Sequence, residues 1–488
     1  MGGDRVYTNA LLTDLYQLTM IQGLYYEGKH EQRCIFDRYY RNNPFNGGYT
    51  IVAGLDHLID YVGNLHFNDG DIDYLRSTGM FRPEFLAYLR TLRFTGDIYA
   101  MPEGTIAFPQ EVLLRVETKK AEALVLETCM SMIINHESLI ATKARRVRTA
   151  AGDDTLMEFG LRRAQGKSAG VYGARAAVIG GFNGTSNVYA GARFGLPVFG
   201  TMAHSWIMSF PTELEAFRAY CRQYDDNLIL LADTYNTLKQ GVPDAITVFK
   251  ELKAARRLPP HYGIRLDSGD LAYLSKEAHK MFTAAGFDDA IIAASNDLDE
   301  NLISGLKLQG SAINSWGVGT HLITSKDSPS LGGVFKLVGQ YEGGEFVPKI
   351  KLSDNAEKIS NPGRKNVLRL YDKTTGKMKA DIIVLEGETI DTTEAFHLVA
   401  DDMPWRYRSV QGGTYDVRTM LEPIFKEGRL VYERPGLQEI RTYAEKEIGT
   451  LWPEYTRLIN PEQMRVQRSA KLSELREKVL RKESANFL

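Results

Sequence analysis

Apolar runs too short to be helices recur through the middle of the chain, and each ends in small or polar residues. They lie at residues 177–179, 198–199, 228–231, 262–266, 291–293 and 312–314. Segments with helical spacing separate them. One opens at Thr212-Glu213-Leu214-Glu215, the spelling of a helix-capping box. Near-continuous apolar strands alternating with helices predict a parallel sheet covered on both faces. An open doubly wound sheet would gather its polar chemistry at one switch point. Here every strand ends in polar residues, as in a barrel that builds its site at the carboxyl ends of its strands. The expected fold is α/β, with an irregular α/β barrel over residues 151–340. In it, the run from Leu196 is a short buried strand that leads through Gly200-Thr201-Met202-Ala203 to His204.

The flanking regions have a different rhythm. Residues 1–150 predict an N-terminal α/β domain with a helix at 11–26 and strands and turns at 96–116. It closes with a helix at 120–148 that lacks Gly and Pro and is apolar on much of its surface, hence largely buried. Residues 341–488 predict a C-terminal α/β extension. It holds a turn at Gly343-Gly344, strands at 382–384 and 430–432, and a charged, solvated helix at 462–482.

Composition narrows the function classes. A formal net charge of -2 over 488 residues gives no global attraction to nucleic acid or anionic membrane, so any anion site must be local. The three cysteines, Cys34, Cys129 and Cys221, form neither a disulfide framework nor a zinc motif. Reduced thiols in a cytoplasmic protein are expected. The N-terminal residues lack a signal core. No apolar run approaches the ~20 residues that span a bilayer.

Polar residues at the strand ends supply candidate chemistry, each with a plainer alternative. Asp267-Ser268-Gly269-Asp270 suits a ribose diol or a magnesium ion, and equally a helix N-cap. Arg265, two residues earlier on the same strand face, is an anion clamp or a structural ion pair. Trp316-Gly317-Val318-Gly319-Thr320 can offer N–H groups and a hydroxyl to a phosphate, or form an ordinary tight turn. Ser295-Asn296-Asp297 can share that sugar phosphate or cap a helix. Asp233 can hold a magnesium-bound diphosphate. Phe159 precedes Arg162 and Arg163, a ring for stacking beside cations for phosphate, or a core ring with surface arginines. His204 is a structural imidazole, a phosphoryl nucleophile or a general acid/base. Lys336, Lys349, Lys351, Lys358, Arg364, Lys365 and Arg369 read as a solvated face or as a mobile loop over polyphosphate.

Five segments, in this order, resemble the nicotinate phosphoribosyltransferase family. They are Leu12-Thr13-Asp14-Leu15-Tyr16-Gln17-Leu18-Thr19-Met20, Glu158-Phe159-Gly160-Leu161-Arg162-Arg163-Ala164, Gly200-Thr201-Met202-Ala203-His204-Ser205, Ile264-Arg265-Leu266-Asp267-Ser268-Gly269-Asp270 and Gly317-Val318-Gly319-Thr320. The resemblance implies a type II phosphoribosyltransferase fold and a homodimer with sites near the subunit interface. It implies an ATP-dependent, ligase-type reaction of nicotinate with 5-phosphoribosyl 1-diphosphate that yields nicotinate mononucleotide and diphosphate for NAD synthesis. ATP and Mg2+ would be required. By position, Tyr16 and Phe159 are implied to sandwich the pyridine, Tyr16 coming from the other subunit. Arg265 and Thr201 would bind nicotinate, and His204 would be phosphorylated by ATP. Gly317, Gly319 and Thr320 would bind the 5-phosphate and Asp267 the ribose diol. Arg162 and Asp233 would surround the diphosphate.

That reaction passes through a ribosyl cation, so a protein must stabilise departing diphosphate and align a flat nucleophile. Phosphorylating His204 would add about −1.5 to −2 of charge and draw neighbouring cations together. The nearest rival is the nicotinamide-using relative. It resembles this chain around Gly184-Thr185-Ser186-Asn187 but carries an aspartate where Ser186 stands. A carboxylate there would repel an acid, so Ser186 points to nicotinate. The other rival, a non-catalytic barrel, is allowed by fold alone. It leaves the joint presence of His204, Arg265, Asp267 and Thr320 unexplained.

Overall fold

Strands from both ends of the chain share one antiparallel sheet. The computed structural model describes residues 8–353, 355, 358–400, 403–464 and 466–485. The N-terminal residues 1–7, read above as lacking a signal core, lie outside the described residues. The chain forms two compact units, Met1–Leu139 with Ser330–Leu488, and Ile140–Pro329.

In the first unit the sheet order is Glu345–Pro348, Gly333–Glu342, Arg33–Tyr40, Leu114–Lys119, Asp97–Ala100, Glu422–Lys426 and Arg429–Leu430. The regions read separately as 1–150 and 341–488 are thus hydrogen-bonded neighbours. Arg33–Tyr40 is buried along all but its first residue, so both faces of this strand are covered, and strands pair with both its edges. A second sheet joins Tyr415–Thr419, Lys365–Asp372, Met378–Leu385 and Val466–Arg468. Val466–Arg468 occupies sequence expected to be helical; the tail helix begins at Ala470. The N-terminal helix likewise starts at Leu15, after a short turn at Asn9–Leu11.

Four of the seven basic residues are held in ion pairs. Lys365 is buried and bonds Asp37 at 2.8 Å. Arg369 is buried against Asp381 at 2.6 Å and Glu447 at 3.1 Å. Arg364 meets Glu117 at 2.6 Å and Glu386 at 2.5 Å, and Lys349 meets Glu342 at 2.7 Å. These cations staple the first unit, some to partners far away in sequence such as Asp37 and Glu117, others to near neighbours such as Glu342 and Asp381.

The second unit carries six parallel strands, numbered here within the unit. They are β1 (Thr155–Glu158), β2 (Gly184–Thr185), β3 (Leu228–Leu231), β4 (Tyr262–Leu266), β5 (Ile291–Ala294) and β6 (Ser315–Val318). Their helices are α1 (Lys167–Ile179), α2 (Val188–Phe194), α3 (His204–Met208), α4 (Glu213–Gln223), α5 (Val242–Ala254), α6 (Leu271–Ala285), α7 (Glu300–Leu308) and α8 (Thr320–Ile323). The strand order is β2-β1-β6-β5-β4-β3, and Val198 adds a single parallel bridge to Thr185. First and last strands therefore lie side by side, as in a barrel. Among the described residues the ladder stops between the Val198 segment and β3, which leaves an open seam. This is the irregular α/β barrel expected from the pattern.

Three strand expectations shift. Residues 177–179 end α1, a helix buried on nearly every side, where helical periodicity is lost and a short apolar run looks like a strand. The run from Leu196 makes only that one bridge, Val198 is 48% exposed, and His204 opens a helix instead of ending a strand. The last strand begins at Ser315, after residues 312–314. Among the described residues, no helix is long and apolar enough to cross a membrane.

Candidate active site

Most candidate residues of the second unit sit at or next to the carboxyl end of a strand. At the end of β1, the Phe159 N–H donates to the Val318 carbonyl at 2.9 Å, which fastens the turn to β6. A Cβ at Gly317 would stand 2.5 Å from Phe159 Cδ2, so the ring lies directly on that glycine. Arg162 and Arg163 follow in an exposed single turn, Leu161–Arg163.

The ends of β4 and β5 resolve the capping alternatives. Asp270 is the N-cap of α6, its carboxylate accepting the Tyr273 N–H at 3.0 Å. Asp299 caps α7, accepting from Asn301 and Leu302. Asp267, Asn296 and Asp297 cap neither helix and line a cavity instead. Asn296 and Asp297 hold φ of 86° and 45°, a left-handed backbone that Asn and Asp tolerate better than most residues. Asp267 accepts a short hydrogen bond from the Ser295 hydroxyl.

The cavity has a volume of about 160 Å³. Phe159, Arg162, Arg265, Asp267, Gly317, Gly319 and Thr320 all line it, with Arg163, Ser295, Asn296 and Asp297. Arg265 also lines a second cavity of about 420 Å³ within the barrel, beside Thr201, Met157 and Phe199. Its Nη1 donates a short hydrogen bond to Thr201 Oγ1, while its buried Nε has no protein partner. Burial lowers the guanidinium's pKa, whereas Asp267 and Asp233 raise it. A largely desolvated cation of this kind favours an anionic ligand.

His204 and Asp233 stand beside the cavity. His204 Nε2 lies 3.5 Å from Asp233 Oδ1, and the Asp233 side chain is 2% exposed. Asp233 Oδ2 accepts from the Asp267 N–H at 2.8 Å and the Ser268 hydroxyl at 2.6 Å. One aspartate therefore joins the imidazole to the Asp267 turn. Among the described residues no three His, Cys, Asp or Glu side chains group to hold a metal by themselves. Asp233 Oδ1 accepts no hydrogen bond, so it fits a magnesium ion whose other ligands are water and substrate phosphates.

Tyr16 belongs to the first unit, on the helix Leu15–Tyr26, and is 50% exposed. Two further groups of the second unit escape a reading of the sequence alone. Glu158, fully buried at the end of β1, is visible only as the residue before Phe159. Glu213 is the first residue of α4, behind a half-formed capping box in which Thr212 caps the Glu215 N–H at 3.2 Å. It too is fully buried, and neither of its carboxylate oxygens has a hydrogen-bond partner.

Comparison with known proteins covers nearly the whole chain. Residues 11–135 match the nicotinate phosphoribosyltransferase (NAPRTase) N-terminal domain, residues 155–338 the NAPRTase family, and residues 364–476 the nicotinate phosphoribosyltransferase C-terminal domain. The chain is 43% identical over 454 residues to a nicotinate phosphoribosyltransferase of Bacillus subtilis, covering 93% of this chain and 91% of that protein. It is 32% identical to the Homo sapiens nicotinate phosphoribosyltransferase, covering 96% of each. The crystal structure of human nicotinic acid phosphoribosyltransferase superposes with a TM-score of 0.84 at 30% identity, covering 96% of this chain and 99% of that one.

Proposed function

The chain belongs to the nicotinate phosphoribosyltransferase family, and on that premise we propose how this enzyme of NAD synthesis carries out its reaction. It joins nicotinate to 5-phosphoribosyl 1-diphosphate with the help of ATP, in the cytoplasm, as a homodimer. One observation carries the reading: residues from four separate strand ends, chosen for one reaction, line a single cavity of about 160 Å³.

The pyridine ring stacks on Phe159, with Tyr16 of the partner subunit on its other face. Its carboxylate meets the Arg265 guanidinium, held toward Thr201. Asp267 binds the ribose diol, and the N–H groups and hydroxyl of Gly317, Gly319 and Thr320 bind the 5-phosphate. The bond from C1 of the ribose to the diphosphate breaks, and the pyridine nitrogen lone pair forms the new bond to C1. Arg162 and Arg163 stabilise the departing charge. Asp233 would be the protein ligand of a magnesium ion, which when bound would supply further positive charge to the diphosphate.

His204 takes a phosphoryl group from ATP and returns it to water, which couples ATP hydrolysis to transfer. Asp233 links that event to the ribose turn, because its two oxygens face His204 and the Asp267 turn. The dimer reading is supported by an apolar strip: Leu12, Leu15, Tyr16 and Met20 are 42–52% exposed on one short stretch of the first unit. The cytoplasmic reading is supported by the cysteines, all free and buried. Burial pushes the thiols of Cys34 and Cys129 up to about 12 and that of Cys221 to about 11.

The test is a turnover assay with 5-phosphoribosyl 1-diphosphate and either nicotinate or nicotinamide, with and without ATP, followed by a search for acid-labile, base-stable phosphate from labelled ATP. Preference for nicotinate, stimulation by ATP and label on the protein are expected. Equal use of both pyridines would overturn the Arg265 and Ser186 assignments. Absence of label would overturn the role of His204.

A further inference from the structure

Glu158 ends β1 with a carboxylate that is fully buried. The hydrogen bonds it accepts come from neutral donors rather than from a cation. Its Oε2 accepts from the Thr185 hydroxyl at 2.5 Å, and its Oε1 accepts a short hydrogen bond from the Gly160 N–H. Thr185 Oγ1 accepts in turn from the Asn187 N–H at 2.9 Å. The Glu158 main-chain oxygen accepts from the Ser186 N–H at 2.8 Å.

Two turns are thereby tied to one residue. The first carries Phe159 and bends at Gly160, where a Cβ would lie 2.5 Å from Ile323 Cβ. The second carries Ser186 between Thr185 and Asn187. Burying a carboxylate without a cation is costly unless its acceptor sites are filled, and here a hydroxyl and an amide fill them. The carboxylate's particular property is that it accepts on both oxygens at once, one toward each turn.

We propose that Glu158, acting through Thr185, is a positioning residue that fixes the Phe159 ring relative to Ser186 and so sets selectivity for a flat aromatic acid over its amide. The inference rests on the reading of Phe159 as the stacking ring. Glu158 does not touch substrate. It holds the turn of Phe159, which lines the cavity, and the turn of Ser186, the residue read as favouring the acid.

Thr185→Val removes the hydroxyl at nearly constant volume, Thr185→Ser keeps it, and Glu158→Gln turns one acceptor into a donor. Steady-state kinetics with nicotinate, nicotinamide and 5-phosphoribosyl 1-diphosphate, alongside a thermal midpoint for each variant, read the outcome. In Thr185→Val the KM for nicotinate should rise about tenfold, the KM for 5-phosphoribosyl 1-diphosphate should move less than about twofold, and the nicotinate-to-nicotinamide ratio of kcat/KM should fall. Thr185→Ser should restore most of that ratio, and a folded Glu158→Gln should behave like Thr185→Val. An unchanged ratio in Thr185→Val, or an equal rise in both KM values, overturns the proposal. The Thr185 pair decides the matter even if Glu158→Gln does not fold. Phe159→Ala separates the two levels. If it leaves the KM for nicotinate unchanged, the stacking reading itself fails. If it raises that KM while Thr185→Val does not, only the Glu158 inference fails.

Discussion

The ring of Phe159 occupies the space that a side chain at Gly317 would need: a Cβ there would stand 2.5 Å from Cδ2 and 2.6 Å from Cε2. This gives Gly317 a reason distinct from phosphate binding. Glycine permits the Cδ2–Cε2 edge of the ring to approach β6 this closely. Gly317→Ala is expected to displace Phe159 and raise the KM for nicotinate by roughly tenfold, about 1.4 kcal/mol. The KM for 5-phosphoribosyl 1-diphosphate should change little. The opposite pattern, a loss confined to 5-phosphoribosyl 1-diphosphate, would show that Gly317 serves phosphate and not the ring.

Arg265 is a test of acid recognition. Its guanidinium is largely buried and held by Thr201, so it is pre-oriented for a carboxylate. A hydrogen bond to a charged group contributes about 1.5–3 kcal/mol. Arg265→Ala should therefore reduce kcat/KM for nicotinate by about 10- to 100-fold or more. Inhibition by nicotinamide should weaken far less, because an amide is neutral. Equal losses for both would argue against a carboxylate clamp. Arg265→Lys should not rescue, since an ammonium cannot reproduce the two-pronged geometry.

Much of this site was legible before any coordinates, and the failures have physical causes. Phe159, Arg265, Asp267 and Thr320 end strands, and strand ends of a barrel converge whatever the loops between them do. Which acidic residue caps a helix is harder to read. Asp267 and Asp270 are equivalent by spelling, and only the backbone shows that Asp270 sits at the helix start. Residues 177–179 look like a strand in the sequence because near-complete burial erases the contrast between the faces of a helix. A charge run reveals nothing of its partners: Asp37 holds Lys365, Glu117 holds Arg364, and Asp381 and Glu447 hold Arg369. The run at 198–199 lost its strand because the barrel is open there, with one bridge in place of a ladder.

The contact between His204 and Asp233 predicts two separable phenotypes. His204→Ala should lose the acid-labile phosphate and ATP stimulation yet keep slow ATP-independent transfer, since the 160 Å³ cavity is built without the imidazole. Full ATP-stimulated turnover in that variant would exclude the assigned role. Asp233→Asn should fail on both counts. It weakens the contact with His204, and it replaces the charged acceptor that fastens the Asp267 N–H and the Ser268 hydroxyl. The KM for 5-phosphoribosyl 1-diphosphate should rise in Asp233→Asn even when ATP is omitted. A variant that lost only ATP coupling would show that Asp233 serves the imidazole and not the ribose turn.

Glu213 gives the second unit a pH-dependent stability. Burial first, and then the charges of Asp244 and Asp233, push its carboxyl up to about 7. Its oxygens have no hydrogen-bond partner to offset that. In the unfolded chain a glutamate titrates near about 4.3. Between these values the folded protein holds a proton that the unfolded chain releases, so stability falls as pH rises from about 4.3 to about 7. Below the unfolded value the contribution is fully present, and above about 7 it is gone. Glu213→Gln keeps the shape and removes the ionisation. Its unfolding free energy should exceed that of the parent at pH 8 by an amount on the order of 1–3 kcal/mol, and its thermal midpoint should be higher accordingly. The advantage should shrink as pH falls and vanish only below about 4.3, where the carboxyl is protonated in both the folded and the unfolded chain. Unfolding curves of the two proteins that stay the same distance apart at pH 5 and pH 8 would show that Glu213 does not titrate in this range.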